Sequence, residues 1–276
     1  MEPKMRKRLV KDLEHNSSYT RAYEDLDLLK RPPLRSVRLQ LELLKPDLYL
    51  LARDINETIV CFGSARVRPE KEAKARLSKA QKELAKNPRS KSLQDEVRAA
   101  KGLLSLSKYY EIGRELGKLI VTKSHNRFAV MTGGGPGLME AANRGAYENG
   151  GTSIGMNITL PHEQEPNPYI SKNMAFLFHY FSIRKMHLVM RAKAVVVLPG
   201  GFGTFDEMFE LLTLVQTQKK ERIPLILLGK EFWSKVINVE ALADYGVISA
   251  KDPHVFEVAD TAQEAWNIIA KFYRIK

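Results

Sequence analysis

The sequence predicts an α/β protein built on a Rossmann-like parallel sheet that is flanked by helices on both faces. Through residues 56–276, short apolar runs of strand length alternate with segments of helical length, which is typical of parallel βαβ units. Two of the apolar runs lead directly into glycine clusters, at 133–135 and 200–203. A polar N-terminal stretch and a lysine-rich insertion lie outside this alternation and are predicted to be helical appendages.

The predicted elements follow one another in a regular order. Residues 1–55 form a polar helical extension, packed on the core and broken at Pro32-Pro33, and the first strand runs from Thr58 to Phe62. In the insertion at 70–105, the lysine, alanine and leucine content and the break at 87–90 predict a helical hairpin. The later elements are predicted as helix 108–122, strand 128–132, helix 136–148, strand 153–156, helix 180–192, strand 194–198, helix 204–216, strand 225–228, helix 231–242, strand 255–258 and helix 260–273.

Composition excludes several classes of protein. The chain has 276 residues, of which 44% are hydrophobic and 28% charged, as in an ordinary globular protein. No apolar run reaches the roughly 20 residues needed to cross a bilayer, and the basic N-terminus leads into further charges, so we expect a cytoplasmic location. The single cysteine, Cys61, excludes an internal disulfide, and the histidines lack metal-ligand spacing, so no metal is expected.

The formal net charge of +12 indicates attraction to anions, which include nucleic acids, anionic membranes and phosphorylated small molecules. Much of the excess lies in the N-terminal tail and in residues 71–101, where lysines and arginines are interleaved with fewer acids. A solvated helical hairpin accounts for the second of these stretches. Nucleic-acid binding through this basic stretch is a further alternative, but no recognition motif is visible, so nucleic acid is not an expected partner. A membrane is not expected either.

The second glycine cluster combines features of a phosphate site with an acidic residue. The apolar run 194–198 is followed by Pro199-Gly200-Gly201-Phe202-Gly203-Thr204, and then by a helical segment that contains Glu207. Glycines allow the backbone to approach a ligand, and the free N–H groups of a helix start favour phosphate. The alternative is structural, because Thr204 and Glu207 have the spacing of a helix capping box. Capping, however, does not require the three glycines.

The first glycine cluster does not match the common nucleotide motifs. A G-x-G-x-x-G pattern read from Gly133 places Leu138 at the third glycine, and neither cluster ends in the Gly-Lys-Ser/Thr of a P-loop. A tight turn with Pro136 at the first helical position is the alternative, but it leaves Gly133, Gly134 and Gly135 unexplained. Because both clusters follow parallel strands, we expect them at one edge of the sheet, with Ser64 and Arg66 after the first strand beside them.

These residues resemble a known family. Residues 199–207 match the P-G-G-x-G-T-x-x-E signature of the LOG (LONELY GUY) family, formerly labelled lysine decarboxylase-like, and Gly133–Gly135 resembles its upstream glycine motif. The resemblance extends over about residues 57–230 and includes Arg184-Lys185 in the preceding helix. The N-terminal extension, the insertion and Glu140, which stands where short plant-type members have glycine, resemble the longer bacterial branch.

The resemblance implies a phosphoribohydrolase that cleaves nucleoside 5′-monophosphates, such as AMP or cytokinin riboside monophosphates, to a free base and ribose 5-phosphate without a cofactor. Residues 56–276 would then be the nucleotide-binding catalytic domain of a homodimer or larger even oligomer. By position, Arg184 and Glu207 are the catalytic pair. The phosphate and ribose contacts are Gly133, Gly134, Gly135, Gly200, Gly201, Gly203, Thr204, Ser64 and Arg66.

Chemistry gives each member of the pair a role. A carboxylate at Glu207 would stabilise the oxocarbenium character of the sugar, hold ribose hydroxyls or orient water. The guanidinium of Arg184 could bind either the leaving base or the 5′-phosphate. Lys185 lacks the partners needed for pyridoxal phosphate chemistry, so the older decarboxylase label is not supported.

Other side chains are candidates for the base and the ribose. Phe181 belongs to the aromatic run 178–181 that is predicted to open a helix, where base stacking and core packing are equal alternatives. Asn143 and Asn157 are weaker candidates for the ribose hydroxyls, and a turn or surface position is an equal alternative for both. A protein that carries or senses a nucleotide or phosphorylated cofactor in the same crevice is the alternative function, although such a carrier could dispense with Glu207.

Overall fold

The computed structural model describes residues 1–161 and 165–275. The chain divides into two compact units, residues 1–48 and residues 49–276. In the first unit, helices α1 (Pro3–Glu14) and α2 (Leu26–Lys30) precede α3 (Arg35–Leu51), which runs into the second unit. The predicted break at Pro32-Pro33 is a short 3₁₀ turn, and the Arg38 guanidinium donates to the carbonyls of Leu29 and Arg31, which precede it.

The second unit is organised around a parallel sheet, which confirms the predicted fold class. Among the described residues, seven strands are arranged in the order β4-β3-β2-β1-β5-β6-β7, and every neighbouring pair is parallel. All residues of the central strand β1 are buried, as expected for a sheet covered on both faces. The strands are β1 (Thr58–Phe62), β2 (Ala129–Thr132), β3 (Ser153–Ile158), β4 (Ala175–Phe178), β5 (Ala192–Val197), β6 (Leu225–Leu228) and β7 (Glu257–Ala259).

Helices cover both faces of this sheet and form two separate cores. One core includes Leu116, Leu138 and Trp266 from α6, α7 and α12, and the other includes Leu188 and Met208 from α8 and α9. The insertion is a hairpin with its own small apolar cluster. The helices are α4 (Glu70–Lys86), α5 (Lys91–Leu106), α6 (Lys108–Lys123), α7 (Leu138–Glu148), α8 (Phe181–Met190), α9 (Phe202–Gln216), α10 (Lys230–Val236), α11 (Val239–Asp244) and α12 (Ala262–Tyr273). None of the described helices is both long and apolar enough to cross a membrane.

Strand β4 was not predicted. The aromatic run expected to open a helix is divided, because Phe178 ends β4 and Phe181 is the first residue of α8. In β4, Phe176 and Phe178 are buried whereas Ala175 and Leu177 are exposed. This alternation covers only four residues, all of them apolar, so its period of two is invisible in a hydrophobicity pattern. The predicted helix 231–242 is likewise two helices, since Asn238 caps α11 through the amide of Ala241.

The order of the strands places a crevice at the carboxyl end of β1. From β1 the chain adds β2, β3 and β4 on one side and β5, β6 and β7 on the other, so the strand order reverses between β1 and β5. Ligands of open parallel sheets bind at such a switch point. The segments that follow β1 and β5 are joined here, because Leu198 N donates to Phe62 O at 2.9 Å and Ser64 N to Pro199 O at 3.0 Å.

Candidate active site

The second glycine loop leads from β5 into α9 without a capping box. Gly201 is the N-cap, and Phe205 N donates to its carbonyl at 3.0 Å. Thr204 is therefore inside the helix, and within the described chain no side chain caps this terminus. The buried Thr204 side chain lies against Gly200, where a Cβ would collide with its hydroxyl. A capping box would require Thr204 as the N-cap, so the structure rules out this alternative for Glu207, which lies farther along α9.

The surface at the start of α9 is open. A Cβ built on Gly201 or on Gly203 would meet no atom of the described residues within 4 Å, and Phe202 is 97% exposed. The first N–H groups of an α-helix have no partner within the helix and carry the positive end of its dipole. An anion can therefore approach the start of this helix, because the glycines there have no side chains that would block it.

Arg184 and Glu207 form a buried ion pair beside this terminus. Arg184 Nη2 is 3.4 Å from Glu207 Oε1, and the two side chains are 10% and 13% exposed. Arg184 Nε also donates to the carbonyl of Met156 in β3 at 2.7 Å. The arginine of α8 is therefore held by β3 on one side and by α9 on the other, so its position depends on the tertiary structure.

Burial alters the acid–base properties of this pair. Burial raises the pKa of Glu207 to about 7, although the charge of Arg184 opposes this shift. Burial also lowers the pKa of Arg184, against the attraction of Glu207, but a guanidinium remains charged in a protein. A carboxyl group that titrates near neutral pH can exchange a proton during a reaction or act as a charged stabiliser.

The raised pKa of Glu207 predicts a pH-dependent stability. Between pH 4.5 and about 7, the folded chain binds the Glu207 proton more tightly than the unfolded chain does, so stability falls as pH rises through this window. Relative to wild type, we expect Glu207→Gln to gain about 3 kcal/mol in free energy of unfolding between pH 4.5 and pH 8. Denaturant unfolding at several pH values measures this gain. A constant difference between the two proteins would contradict the shift.

The first glycine loop packs directly on the catalytic candidate Arg184. A Cβ at Gly133 would collide with Arg184 Nη2 and would lie 2.9 Å from Met139 Sδ. Gly134 has a φ of +73° and donates its N–H to Thr132 Oγ1 at 2.9 Å. Its amide is therefore already engaged inside the protein. The loop can pack directly against Arg184 because its glycines have no side chains. Gly135 is also buried.

A buried polar network holds this loop from behind. Asn167 Nδ2 donates to the carbonyls of Gly134 and Gly135 at 3.2 and 3.1 Å, and to Asn143 Oδ1 at 3.0 Å. Asn143 in turn accepts from Thr132 Oγ1 and donates to Ser153 Oγ. Asn143 is completely buried and both ends of its amide are hydrogen-bonded within the protein, so it supports the loop instead of contacting the ribose. Sequence reasoning missed Asn167, whose only local signal is a turn-forming Asn-Pro pair.

Gly133→Ala tests whether this contact positions Arg184. We expect kcat/KM to fall about 10- to 100-fold, because a small displacement of a positioning group is costly to catalysis. The loss of stability should be small, since the Cβ meets the end of a long side chain. Gly102→Ala in α5 is the matched control, because its Cβ would meet nothing within 4 Å of the described structure. Activity of Gly133→Ala equal to that of the control would contradict the positioning role.

The remaining predicted residues occupy different places around the crevice. The Ser64 carbonyl accepts from Leu138 N at 3.0 Å, so the segment after β1 joins both glycine loops. Ser64 Oγ accepts from Arg66 N at 3.1 Å, and the Arg66 side chain is exposed. Phe181 is 52% exposed at the start of α8. Exposure favours contact with a ligand or a partner over core packing for this ring.

Lys185, the neighbour of Arg184, forms ion pairs that connect two helices. Its ammonium group is 3.2 Å from carboxylate oxygens of both Asp206 and Glu210, and therefore links α8 to α9. Although burial opposes the shift, these hydrogen-bonded acids raise the pKa of Lys185. A lysine that forms a Schiff base must lose its proton, so a raised pKa disfavours that role.

Comparison with known proteins shows which family this chain is similar to. A family model described as "possible lysine decarboxylase" matches residues 139–269, which include Arg184 and Glu207. The chain is 26% identical over 160 residues to cytokinin riboside 5′-monophosphate phosphoribohydrolase LOG1 of Arabidopsis thaliana, covering 56% of this chain and 72% of that protein. It is 25% identical over 160 residues to the probable cytokinin riboside 5′-monophosphate phosphoribohydrolase LOGL6 of Oryza sativa subsp. japonica.

The alignment with the rice protein covers 56% of this chain and 62% of that relative, less than two thirds of its length. Among solved structures, the molybdenum cofactor binding protein of the phototrophic bacterium Rippkaea orientalis is similar, with 23% identity and a TM-score of 0.44. That match covers 60% of this chain and 88% of the other. In its glycine signature at 199–207, its family-model match and its curated relatives, the chain is similar to the LOG family.

Proposed function

We propose that the protein is a nucleoside 5′-monophosphate phosphoribohydrolase, which hydrolyses the N-glycosidic bond of AMP-like nucleotides to a free base and ribose 5-phosphate. The observation that carries the proposal is the buried Arg184–Glu207 pair beside the open start of α9. An anion site next to a desolvated carboxyl group suits a substrate that joins a phosphate to a sugar. The activities for which the plant relatives are named support the same reaction class.

In the proposed complex, the 5′-phosphate binds the free N–H groups at the start of α9, over Gly201 and Gly203. The ribose then extends toward Glu207, one turn farther along the helix. As the glycosidic bond breaks, positive charge develops on the sugar ring, and the Glu207 carboxylate stabilises it or orients the attacking water. Arg184 binds the departing base or the phosphate through its planar guanidinium.

The protonation state of Glu207 gives this mechanism a pH dependence. If the carboxylate is the active form, kcat/KM rises with pH and levels off above an apparent pKa of about 7. A pH–rate profile on AMP measures this limb. Activity that declines through the same range would instead assign the protonated acid to the leaving base.

The function is tested by incubating the purified protein with AMP, GMP, IMP, CMP, UMP and isopentenyladenosine monophosphate, and separating the products by chromatography. Release of free base and ribose 5-phosphate from a monophosphate, but not from its nucleoside, is the expected result. The same panel reports the base preference, including any for the N6-substituted bases of cytokinin nucleotides. Tight nucleotide binding without base release would contradict the hydrolase and favour a nucleotide carrier.

Assembly is part of the proposal. We propose a homodimer or a larger even oligomer, supported by the exposed apolar side chains of α8 and α9, which include Phe181, Met186, Met190 and Phe209. Such a cluster of exposed apolar groups is typical of an interaction surface. Light scattering coupled to size-exclusion chromatography measures the number of subunits.

A further inference from the structure

One buried acceptor at the candidate active site has no donor in the protein. Asn157, near the end of β3, is 7% exposed, and its Oδ1 has no hydrogen-bond partner among the described residues. Burying an amide oxygen without a donor is unfavourable, so most buried polar atoms of native proteins have a hydrogen-bond partner. The position of this oxygen indicates what could supply the missing hydrogen bond.

Asn157 is next in sequence to Met156, which binds Arg184, and it contacts Gly134, which follows the Gly133 that lies against Arg184. The preceding residue, Met156, accepts from Arg184 Nε at 2.7 Å. On its other side, the Asn157 amide lies against Gly134, where a Cβ would collide with Oδ1 and lie 2.7 Å from Cγ. The close approach therefore depends on glycine at 134. A larger residue there would displace the Asn157 amide from its position.

The chemistry of the orphan atom restricts its ligand. An amide oxygen only accepts hydrogen bonds, so its partner must carry a proton. A phosphate dianion has none, which excludes the 5′-phosphate. The donors of a nucleoside monophosphate are its ribose hydroxyls and, on some bases, an amino group or a ring N–H. The hydroxyls are common to every ribonucleotide. They lie on the sugar whose glycosidic bond is proposed to be hydrolysed beside Arg184 and Glu207.

We propose that Asn157 is a ribose-binding residue whose Oδ1 accepts a hydrogen bond from a sugar hydroxyl, so that the site selects ribonucleotides over deoxyribonucleotides. The inference rests on the proposed function, because it places the sugar beside Arg184. A site that leaves a buried acceptor unpaired when the hydroxyl is missing discriminates strongly against the deoxy analogue. Asn157 thereby adds a specificity determinant to the catalytic pair.

The test compares AMP with 2′-deoxy-AMP and 3′-deoxy-AMP on wild type and Asn157→Leu, which replaces the amide by an apolar group of similar volume. We expect wild type to prefer AMP over at least one deoxy analogue by about 10- to 100-fold in kcat/KM. In Asn157→Leu the preference should fall below about threefold, mainly through loss of activity on AMP. Dissociation constants on the Glu207→Gln background provide the same ratios without turnover.

Thr58→Val is the matched control. Thr58 Oγ1 is another buried oxygen without a partner in the described residues, but it lies at the start of β1, at the opposite end of the strands. This variant should keep the full ribose preference. Asn157→Ala makes the same comparison with a smaller side chain if the leucine variant does not fold.

The outcomes separate the inference from the proposed function. Equal use of AMP and both deoxy analogues by wild type, or an unchanged preference in Asn157→Leu and Asn157→Ala, overturns the role of Asn157. If wild type binds AMP but releases no base, the hydrolase is wrong, while the ratio of dissociation constants still decides the role of Asn157. Absence of binding to all three nucleotides overturns both.

Discussion

Glu207→Gln is expected to lower kcat/KM on the best nucleoside monophosphate by about 10²- to 10⁴-fold, the usual contribution of a catalytic acid or base. Glutamine keeps the size and a hydrogen-bonding oxygen but can neither carry charge nor exchange a proton. The ion pair with Arg184 is lost, whereas the hydrogen bond from Arg184 to Met156 O can remain. Initial rates of base release across substrate concentrations, with dissociation constants measured in parallel, separate the loss of chemistry from a loss of binding.

Glu210→Gln provides the control for this prediction. Glu210 lies one turn after Glu207 on α9, and its carboxylate is paired with Lys185 instead of Arg184. This substitution makes the same chemical change on the same helix and should alter kcat/KM by less than about threefold, since the partly buried Glu210 has no contact with Arg184. Retention of more than a tenth of wild-type activity by Glu207→Gln would contradict a catalytic role for the carboxyl group.

Arg184→Lys is expected to lower kcat/KM by about 10²- to 10³-fold, even though it preserves the charge. The guanidinium serves two partners in different directions, with Nε on Met156 O and Nη2 toward Glu207, and it must still contact substrate. A lysine ammonium is a single point at the end of a flexible chain and cannot hold the same geometry. Steady-state kinetics on the wild-type substrate panel measure the loss.

Lys185→Arg is the matched control, because the neighbouring residue of α8 is held by Asp206 and Glu210 and should tolerate the reverse exchange. Chemical rescue adds a second test of the arginine. Free guanidinium ion should restore part of the activity of Arg184→Ala, whereas it should not help Glu207→Gln. Near wild-type activity of Arg184→Lys would show that charge alone suffices, which contradicts the planar-fork role.

Much of the fold and of the candidate site follows from local sequence patterns. The runs 58–62, 194–198 and 225–228 are short, apolar and bounded by turn residues, and each contains a buried parallel strand. The glycine clusters were expected at one edge of the sheet, because parallel strands end together, and hydrogen bonds from Ser64 and Leu138 join them there. Strand β4 escaped prediction because four consecutive apolar residues do not reveal an alternating pattern.

The sequence by itself determined the parallel sheet, the helical hairpin, the glycine loops and the choice of Arg184 and Glu207 as candidates, because these depend on spacing along the chain. Only the tertiary structure decided that Gly201 caps α9, that burial raises the pKa of Glu207 to about 7, and that Met156 holds Arg184. It also decided that Asn143 is structural while Asn157 has an unpartnered oxygen. Desolvation and long-range hydrogen bonds arise from segments far apart in sequence, so no local pattern encodes them.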